Sequence, residues 1–261
     1  MRQGRPPLGL LIPAGGAVAL VVLPLVGLLQ RTPWSQMRAQ LLSADVGTAL
    51  RLSLECSVAA VALSVTLGVP LAWILARVPF PARAVVRALV TLPMVLPPVV
   101  GGVALLLAFG RRGFVGEALD RLTGVTLPFT TAGAVLAEAF VAMPFLVVAV
   151  EAGIRQVDQR YEDAAATLGA GPWTRFWRVT LPLVAPSLGA GAALCWARAL
   201  GEFGATITFA GNFPGRTQTM PLAVYIALET NPDGAVALSL ILLAVSLLVL
   251  IVLRHRLIGD P

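Results

Sequence analysis

Two charged residues stand inside one of the long apolar segments of this chain. Arg198 and Glu202 are four residues apart in the segment 197–212, ARALGEFGATITFAGN, so on a helix they lie on one face and can neutralise each other. A lone charge near the centre of a bilayer costs about 2.5 to 3.5 kcal/mol on insertion scales. We therefore expect the pair to face the interior of a helix bundle, either as a structural clamp between two helices or as part of a translocation path.

Proline and glycine interrupt two of the apolar segments. The breaks are Pro93, Pro97, Pro98, Gly101 and Gly102 in one segment, and Pro182, Pro186, Gly189 and Gly191 in another. A broken helix in a membrane leaves backbone groups that a neighbouring helix or a water-lined cavity must satisfy. A packing kink would give the same pattern, so both interpretations remain open. The residues we predict to line or gate a path are Pro97, Gly101, Arg198, Glu202, Gly204, Thr206 and Thr208.

Composition places the chain in a membrane and excludes several classes of enzyme. Of its 261 residues, 57% are hydrophobic and 12% charged, and it contains no lysine. A P-loop needs lysine to hold nucleotide phosphates, so if ATP drives this protein, another subunit must bind the ATP and its Mg²⁺. The signatures HExxH and Gly-x-Ser-x-Gly are absent, and the one histidine, His255, lies in the tail. We predict no catalytic residue, no metal site and no cofactor in this chain, and structural roles for Cys56 and Cys195.

Six apolar segments are long enough to cross a bilayer, which takes roughly 20 helical residues. They cover about 8–29, 46–76, 85–109, 129–153, 181–210 and 235–253. The first could be a signal peptide, but it is longer than the usual apolar region and no small-x-small cleavage site follows before Arg31. The sequence thus predicts an all-α membrane protein with six transmembrane helices, the first one retained.

The distribution of arginine predicts the orientation of these spans. With the N-terminus inside, the cytoplasmic segments hold eleven arginines and the external loops six. Both termini are therefore expected in the cytoplasm, together with the connection between the fourth and fifth spans. Within the fourth span, Glu138 has no charged neighbour at helical spacing, so it meets a partner from another helix or is protonated. Glu151 lies near the cytoplasmic end, and we expect it to snorkel towards water.

The cytoplasmic connection after the fourth span has the pattern of a folded element. Small or apolar residues recur at helical spacing at Val157, Tyr161, Ala164, Ala165 and Leu168. Gly169 is placed to end this helix in a left-handed conformation, and Pro172 to begin a second one. The second helix carries Trp173, Phe176, Trp177 and Thr180 on one face. Two short helices joined by a kink, outside the bilayer, are suited to pushing on a partner protein.

The positions Glu162, Ala164, Ala165, Gly169, Phe176 and Pro182 carry a family resemblance, with Asp163 standing where alanine is common. They resemble the "EAA" loop of permease subunits from bacterial ABC importers. The resemblance implies the ABC importer permease fold with cytoplasmic coupling helices. It also implies that contact with an ATPase is made through Glu162, Ala164, Ala165, Gly169, Trp173 and Phe176.

A narrower resemblance rests on four other stretches. These are PMVLPPVVG at 93–101, GRRG at 110–113, ARALGEFGAT at 197–206 and GNxPGxTQT at 211–219, in which Phe213 and Arg216 occupy the two variable positions written x. Over about residues 46–253 the chain is similar to permease subunits of molybdate importers. The implied function is an ATP-driven oxyanion permease for molybdate or tungstate. Sulfate or thiosulfate transport by the same family is the alternative, and a passive membrane channel is the alternative from a different class.

The same resemblance implies partners and a location. It implies a dimer of this chain in the inner membrane of a bacterial or archaeal cell, surrounded by lipid. Two cytoplasmic ABC ATPase subunits and an external oxyanion-binding protein complete the assembly, and no nucleic acid is expected. The predicted domains are an N-terminal helix with its external loop (1–45), the permease core (46–253) and a cytoplasmic tail (254–261).

Overall fold

The computed structural model describes residues 8–257, and the regular structure within that range is helical, without strands. The helices are α1 (Leu8–Arg31), α2 (Trp34–Leu41), α3 (Ala44–Arg77), α4 (Arg83–Thr91), α5 (Pro98–Phe109), α6 (Phe114–Thr123), α7 (Thr131–Gln156), α8 (Arg160–Thr167), α9 (Pro172–Arg175), α10 (Leu181–Leu183), α11 (Ala185–Leu200), α12 (Gly204–Ala210), α13 (Met220–Thr230) and α14 (Pro232–Leu257). A 3₁₀ turn (Leu92–Met94) follows α4, and a π-helical turn (Phe176–Thr180) joins α9 to α10. The predicted all-α class is confirmed. Arg2, Arg5 and residues 258–261 of the predicted tail lie outside the described residues.

Four helices are long and apolar enough to cross a membrane: α1, α3, α7 and α14. Two bent helix pairs meet the same criteria only when each is taken together, as a broken span or a re-entrant loop. The segment 83–94 meets α5 at 116°, and the segment 172–183 meets α11 at 73°. The predicted six spans therefore correspond to four continuous helices and two bent pairs, and the bends coincide with the two proline-rich interruptions of the sequence.

The predicted fifth span, 181–210, is wrong in its last third. Helix α11 ends at Leu200, and α12 begins separately at Gly204 and packs against α5 and α7. The break follows from local chemistry, because the Glu202 carboxylate accepts the backbone N–H of Ala205 at 2.7 Å and so starts a new helix. Residues 204–210 belong to a short second layer beside α5 rather than to the fifth span.

Helix α7 is the centre of the bundle and packs most extensively against α3 and α11. The close approach depends on glycine. A Cβ added at Gly153 would lie 2.4 Å from the Ser187 side chain, and one at Gly191 would lie 3.0 Å from the Ala149 Cβ. Such small residues let helix backbones come together where lipid provides no hydrophobic driving force. Helix α1, by contrast, is exposed along its length, and its one extensive contact within the described residues is with α14.

Candidate coupling and translocation sites

The loop between α7 and α11 forms the two short helices that the sequence predicts. Helix α8 ends before Gly169, whose φ of +85° is the left-handed conformation that glycine tolerates. Pro172 then opens α9 at its first position. The second helix does not continue regularly, because a π-helical turn follows at Phe176–Thr180. A π turn rotates the side chains that follow it, and such turns are frequent at functional sites.

Glu162 lies at the centre of this loop and faces the protein. Its Oε1 accepts hydrogen bonds from Arg77 Nη2 at 3.1 Å, from Arg77 Nε at 3.3 Å and from Thr180 Oγ1 at 2.9 Å. Arg77 Nη2 also donates to the Val157 carbonyl at 3.0 Å. The side chains of Arg77 and Glu162 are 9% and 14% exposed, so the pair is largely shielded from water. One carboxylate thus joins the C-terminal end of α3, helix α8 and the π turn.

An aromatic cluster holds the second short helix. The Phe176 ring contacts Trp73 of α3 edge-on at a centroid distance of 6.2 Å, and Trp173 stacks on Phe176 at 6.2 Å. Trp177 meets Phe176 edge-on at 5.4 Å. Such pairs contribute about 0.5–1.5 kcal/mol each beyond their buried area. Phe176 therefore anchors the loop to α3, which is also the helix that carries Arg77.

The outward surface of the loop is more apolar than its sequence pattern indicates. Leu168 is 88% exposed, Trp173 73% and Tyr161 59%. Ala164 is exposed and Ala165 half-buried. The helical periodicity of α8 is therefore confirmed, but its apolar residues point away from the chain and its glutamate points towards it. We call Tyr161, Ala164, Leu168 and Trp173 the coupling surface.

A second ion-pair cluster lies at the same end of the bundle. Glu151 of α7 is buried and accepts from Arg87 of α4, with Nη2 at 2.5 Å, and from Arg155 Nη2 at 2.6 Å. The expectation that Glu151 snorkels to water is wrong, because the arginines reach to the carboxylate instead. Arg77 and Arg87 are functional candidates that the sequence did not reveal, since their acidic partners are 85 and 64 residues away.

The predicted pair inside the membrane is present, although not on one continuous helix. Arg198 Nη1 lies 2.6 Å from Glu202 Oε2, across the end of α11. The contact is an ion pair, and it places the cationic guanidinium directly against the carboxylate. The Glu202 side chain is 1% exposed and that of Arg198 is 27% exposed. The pair therefore neutralises a buried carboxylate and fixes the break between α11 and α12.

The other predicted path residues divide into exposed and buried positions. Pro97 is exposed at the start of α5, and Thr208 is half-buried, with its hydroxyl donating to the Gly204 carbonyl at 2.8 Å. Gly101 is buried beneath the Phe140 ring, whose nearest atom is 3.2 Å from where a Cβ would stand. A Cβ on Gly204 would come within 2.8 Å of Pro98. Gly101 and Gly204 thus allow helices to touch.

Thr206 and Glu138 are buried with unpaired oxygens. Among the residues that the structure describes, the Thr206 hydroxyl and the Glu138 Oε2 have no hydrogen-bond partner. Both side chains are at most 1% exposed. A partner for Glu138 from another helix, one of the two expectations, is not observed in this range.

These features define a class of protein: a polytopic helical membrane protein in which a folded loop is fastened to the spans and presents an apolar surface. Residues 68–258 match the family model described as "Binding-protein-dependent transport system inner membrane component". The chain belongs to this family of inner-membrane transport permeases, which confirms the predicted multi-pass membrane protein and the transport class of subunit.

Relatives with similar sequences carry a more specific name. The "Molybdenum transport system permease protein ModB" of Mycobacterium tuberculosis is 47% identical over 240 residues, covering 92% of this chain and 90% of the relative. The protein of the same name from Escherichia coli K12 is 45% identical over 206 residues, covering 78% and 90%. The "Sulfate transport system permease protein CysT" of Escherichia coli K12 is 37% identical over 235 residues, covering 88% and 84%. The resemblance to molybdate permeases is thereby confirmed.

Solved structures show the same fold at low sequence identity. A chain of a bacterial alginate ABC transporter, in complex with a periplasmic protein bound to alginate pentasaccharide, superposes with a TM-score of 0.78 at 17% identity, covering 97% of this chain and 94% of that one. A chain of the inward-facing MetNI methionine ABC transporter gives 0.62 at 16% identity, covering 80% and 93%. The predicted ABC importer permease fold is confirmed.

Proposed function

We propose that this chain is the membrane-spanning subunit of an ATP-driven importer for molybdate or the chemically similar tungstate. The observation that carries the proposal is the 47% identity to a molybdenum permease over 92% of the chain, against 37% identity to a sulfate permease over 88%. Both oxyanions are tetrahedral dianions, so the same corridor could pass either of them. The difference in identity favours the molybdenum group over the sulfate group.

The coupling surface is the proposed docking site of a cytoplasmic ATPase. Exposed leucine, tyrosine and tryptophan side chains on a loop outside the membrane mark an interaction site. Glu162 holds this loop rigidly against α3 and the π turn, so a force applied to the coupling surface would reach two spans at once. Because the chain contains no lysine and hence no P-loop, the ATPase partner would bind ATP and Mg²⁺. This arrangement requires both termini to be cytoplasmic.

Two copies of the chain are proposed to form the path between them, with an external binding protein delivering the oxyanion. In each copy the exposed or half-exposed residues Pro97, Arg198 and Thr208 would reach the path. The buried residues Gly101, Glu202, Gly204 and Thr206 would hold the bent spans in shape behind them. Few cations line this region, so we expect it to pass the anion without binding it tightly.

Uptake by reconstituted vesicles tests this function. The chain is co-purified with candidate ATPase and oxyanion-binding partners, inserted into liposomes and supplied with labelled molybdate and internal ATP. We expect uptake that requires ATP rather than ADP, that unlabelled tungstate inhibits strongly and that a tenfold excess of sulfate inhibits weakly. Equal uptake with ADP would identify a passive channel, and stronger inhibition by sulfate than by tungstate would assign the chain to the sulfate group.

A further inference from the structure

A cavity with two arginines lies at the opposite end of the bundle from the coupling surface. It has a volume of about 440 Å³ and is lined by Leu106, Arg111, Thr126, Pro128, Phe129 and Arg216. The Thr131 hydroxyl, at the first residue of α7, donates to the Arg216 carbonyl at 2.8 Å. Helix α7 has 26 residues and ends beside the loop that carries the coupling surface, so the cavity and the coupling surface are separated by about 39 Å. By the predicted orientation the cavity opens to the outside.

The cavity brings together two sequence motifs that the coupling and path residues do not include. Arg111 belongs to the stretch GRRG at 110–113, and Arg216 occupies one of the two variable positions within GNxPGxTQT at 211–219. The two motifs are about 100 residues apart in sequence, yet one arginine from each lines the same space. Both stretches therefore contribute a side chain to the same cavity.

A tight turn fixes the backbone that carries Arg111. The Gly113 N–H donates to the Gly110 carbonyl at 2.8 Å, and a Cβ on Gly113 would lie 2.5 Å from the carbonyl oxygens of Leu107 and Ala108. A Cβ on Gly116 would lie 2.0 Å from the Gly110 carbonyl oxygen. Side chains cannot be accommodated at these positions, so the turn between α5 and α6 closes tightly beneath Arg111.

A second turn fixes Arg216. The Arg216 and Thr217 N–H groups both donate to the Phe213 carbonyl, at 3.1 and 2.9 Å, and the Thr217 hydroxyl accepts from the Phe213 N–H at 2.9 Å. The Phe213 ring meets Phe129 edge-on at 6.1 Å. Phe129 has a φ of +61°, which is unusual for a residue with a bulky side chain. Strain of this kind persists where surrounding contacts hold it and is concentrated at functional sites.

The charges in the cavity are uncompensated among the described residues. Neither Arg111 nor Arg216 forms an ion pair there, although a carboxylate is close in sequence: Glu117 of α6 pairs with Arg121 instead. Arginine presents a planar set of donors that matches tetrahedral oxyanions, and two arginines lining one concave site attract anions from solution. A Thr126 side chain beside them adds a hydroxyl to the lining.

We propose that this cavity is a receiving site for a tetrahedral oxyanion, with Arg111 and Arg216 as its binding residues. The proposal rests on the proposed function and deepens it, because it gives the permease its own external contact with the anion released by the binding protein. The volume suits a hydrated small anion held between two guanidinium groups. A phospholipid headgroup offers the same phosphate chemistry, so the test must separate the free anion from the lipid.

Equilibrium dialysis of molybdate against the detergent-purified permease–ATPase complex, without binding protein and at low salt, tests the site. We expect Arg111→Gln and Arg216→Gln each to weaken binding about tenfold, since each removes charge-assisted hydrogen bonds. Arg112→Gln is the matched control: it removes the same charge from the neighbouring residue, which is exposed like Arg111 but does not line the cavity, and should change binding less than twofold. Arg111→Lys should recover only part of the affinity, because it restores the charge without the planar donors. Size-exclusion profiles confirm that the variants are assembled.

Three outcomes would overturn the proposal. An equal loss in Arg112→Gln would show that general surface charge attracts the anion. Binding of phosphatidylglycerol that depends on Arg111 and Arg216, without molybdate binding, would assign the cavity to a lipid headgroup. Unchanged molybdate binding with weakened attachment of the binding protein would assign the arginines to that protein's surface. Dialysis needs no transport, so a failed uptake experiment with intact molybdate binding would reject the proposed function and leave the site in place.

Discussion

The two ends of the helix bundle use arginine in different ways. At the coupling end, Arg77, Arg87 and Arg155 are bound to the carboxylates of Glu162 and Glu151. At the other end, Arg111 and Arg216 line an open cavity, and neither is paired with a described carboxylate. A paired arginine connects helices and resists displacement, whereas an unpaired arginine is available to a ligand. Under the two proposals made above, the end with paired arginines transmits force and the end with unpaired arginines receives an anion.

Reversal of the Arg77–Glu162 charges has the largest expected effect. Arg77→Glu or Glu162→Arg places two like charges in a largely buried site, and breaking such a pair costs about 3 kcal/mol or more. We expect each single variant to lose more than tenfold in ATP-dependent uptake. The double variant Arg77→Glu/Glu162→Arg should recover much of this loss. Uptake and ATP hydrolysis are measured together, because a detached loop should leave hydrolysis running without transport.

The control for this reversal is the same change at the other end of the molecule. Arg121 is 75% exposed, so Arg121→Glu should leave uptake within twofold of the unmodified protein. Normal uptake by Glu162→Arg alone would contradict the role given to the pair. It would also remove the distinction between a force-transmitting end and a receiving end.

The pair at the break between α11 and α12 tests whether buried pairing inside the membrane follows the same rule. Arg198→Ala leaves the Glu202 carboxylate buried without its cation, whereas Glu202→Ala removes the ion pair and also the acceptor for the Ala205 N–H. We expect Glu202→Ala to destabilise the protein by about 1 kcal/mol more than Glu202→Gln, which keeps the acceptor. Thermal unfolding in detergent measures the difference.

A double-mutant cycle completes this test. If Arg198 and Glu202 depend on each other, the double alanine variant should lose less stability than the sum of the two single changes. Additive losses would mean that each side chain has a separate partner, and the resemblance to the Arg77–Glu162 pair would then be superficial.

Local signals predicted the coupling loop well, and long-range contacts escaped prediction. Gly169 and Pro172 set the end of one helix and the start of the next through backbone preferences that are visible in sequence. Periodicity could not tell which face of α8 turns inward, because both the protein and a partner can cover apolar side chains. The partner of Glu162 is Arg77, which lies 85 residues earlier in the sequence, and the packing of α3 against α7 brings the two side chains together.

In the segment 197–212, local spacing predicted a contact correctly but did not predict the backbone around it. Arg198 and Glu202 were expected to meet on one helix, and they do meet, although the helix ends between them. The spacing of four residues predicted the contact, but it did not predict the helix break, where the Ala205 N–H donates to the Glu202 carboxylate. No joint role was predicted for Arg111 and Arg216 at the opposite end of the bundle, since nothing local links residue 111 to residue 216.

The smallest expected effect concerns the exposed Glu117–Arg121 pair beside the cavity. Its side chains are 49% and 75% exposed, and exposed pairs of this kind contribute at most about 0.5 kcal/mol on a helix. Glu117→Gln should therefore leave the unfolding temperature unchanged within error and change molybdate binding less than twofold. This variant makes the cavity end of the bundle more positive by one charge without touching Arg111 or Arg216. A gain in affinity of tenfold or more, measured by the same dialysis, would show that diffuse positive potential rather than two specific arginines attracts the anion, and the two ends of the bundle would then differ in net charge alone.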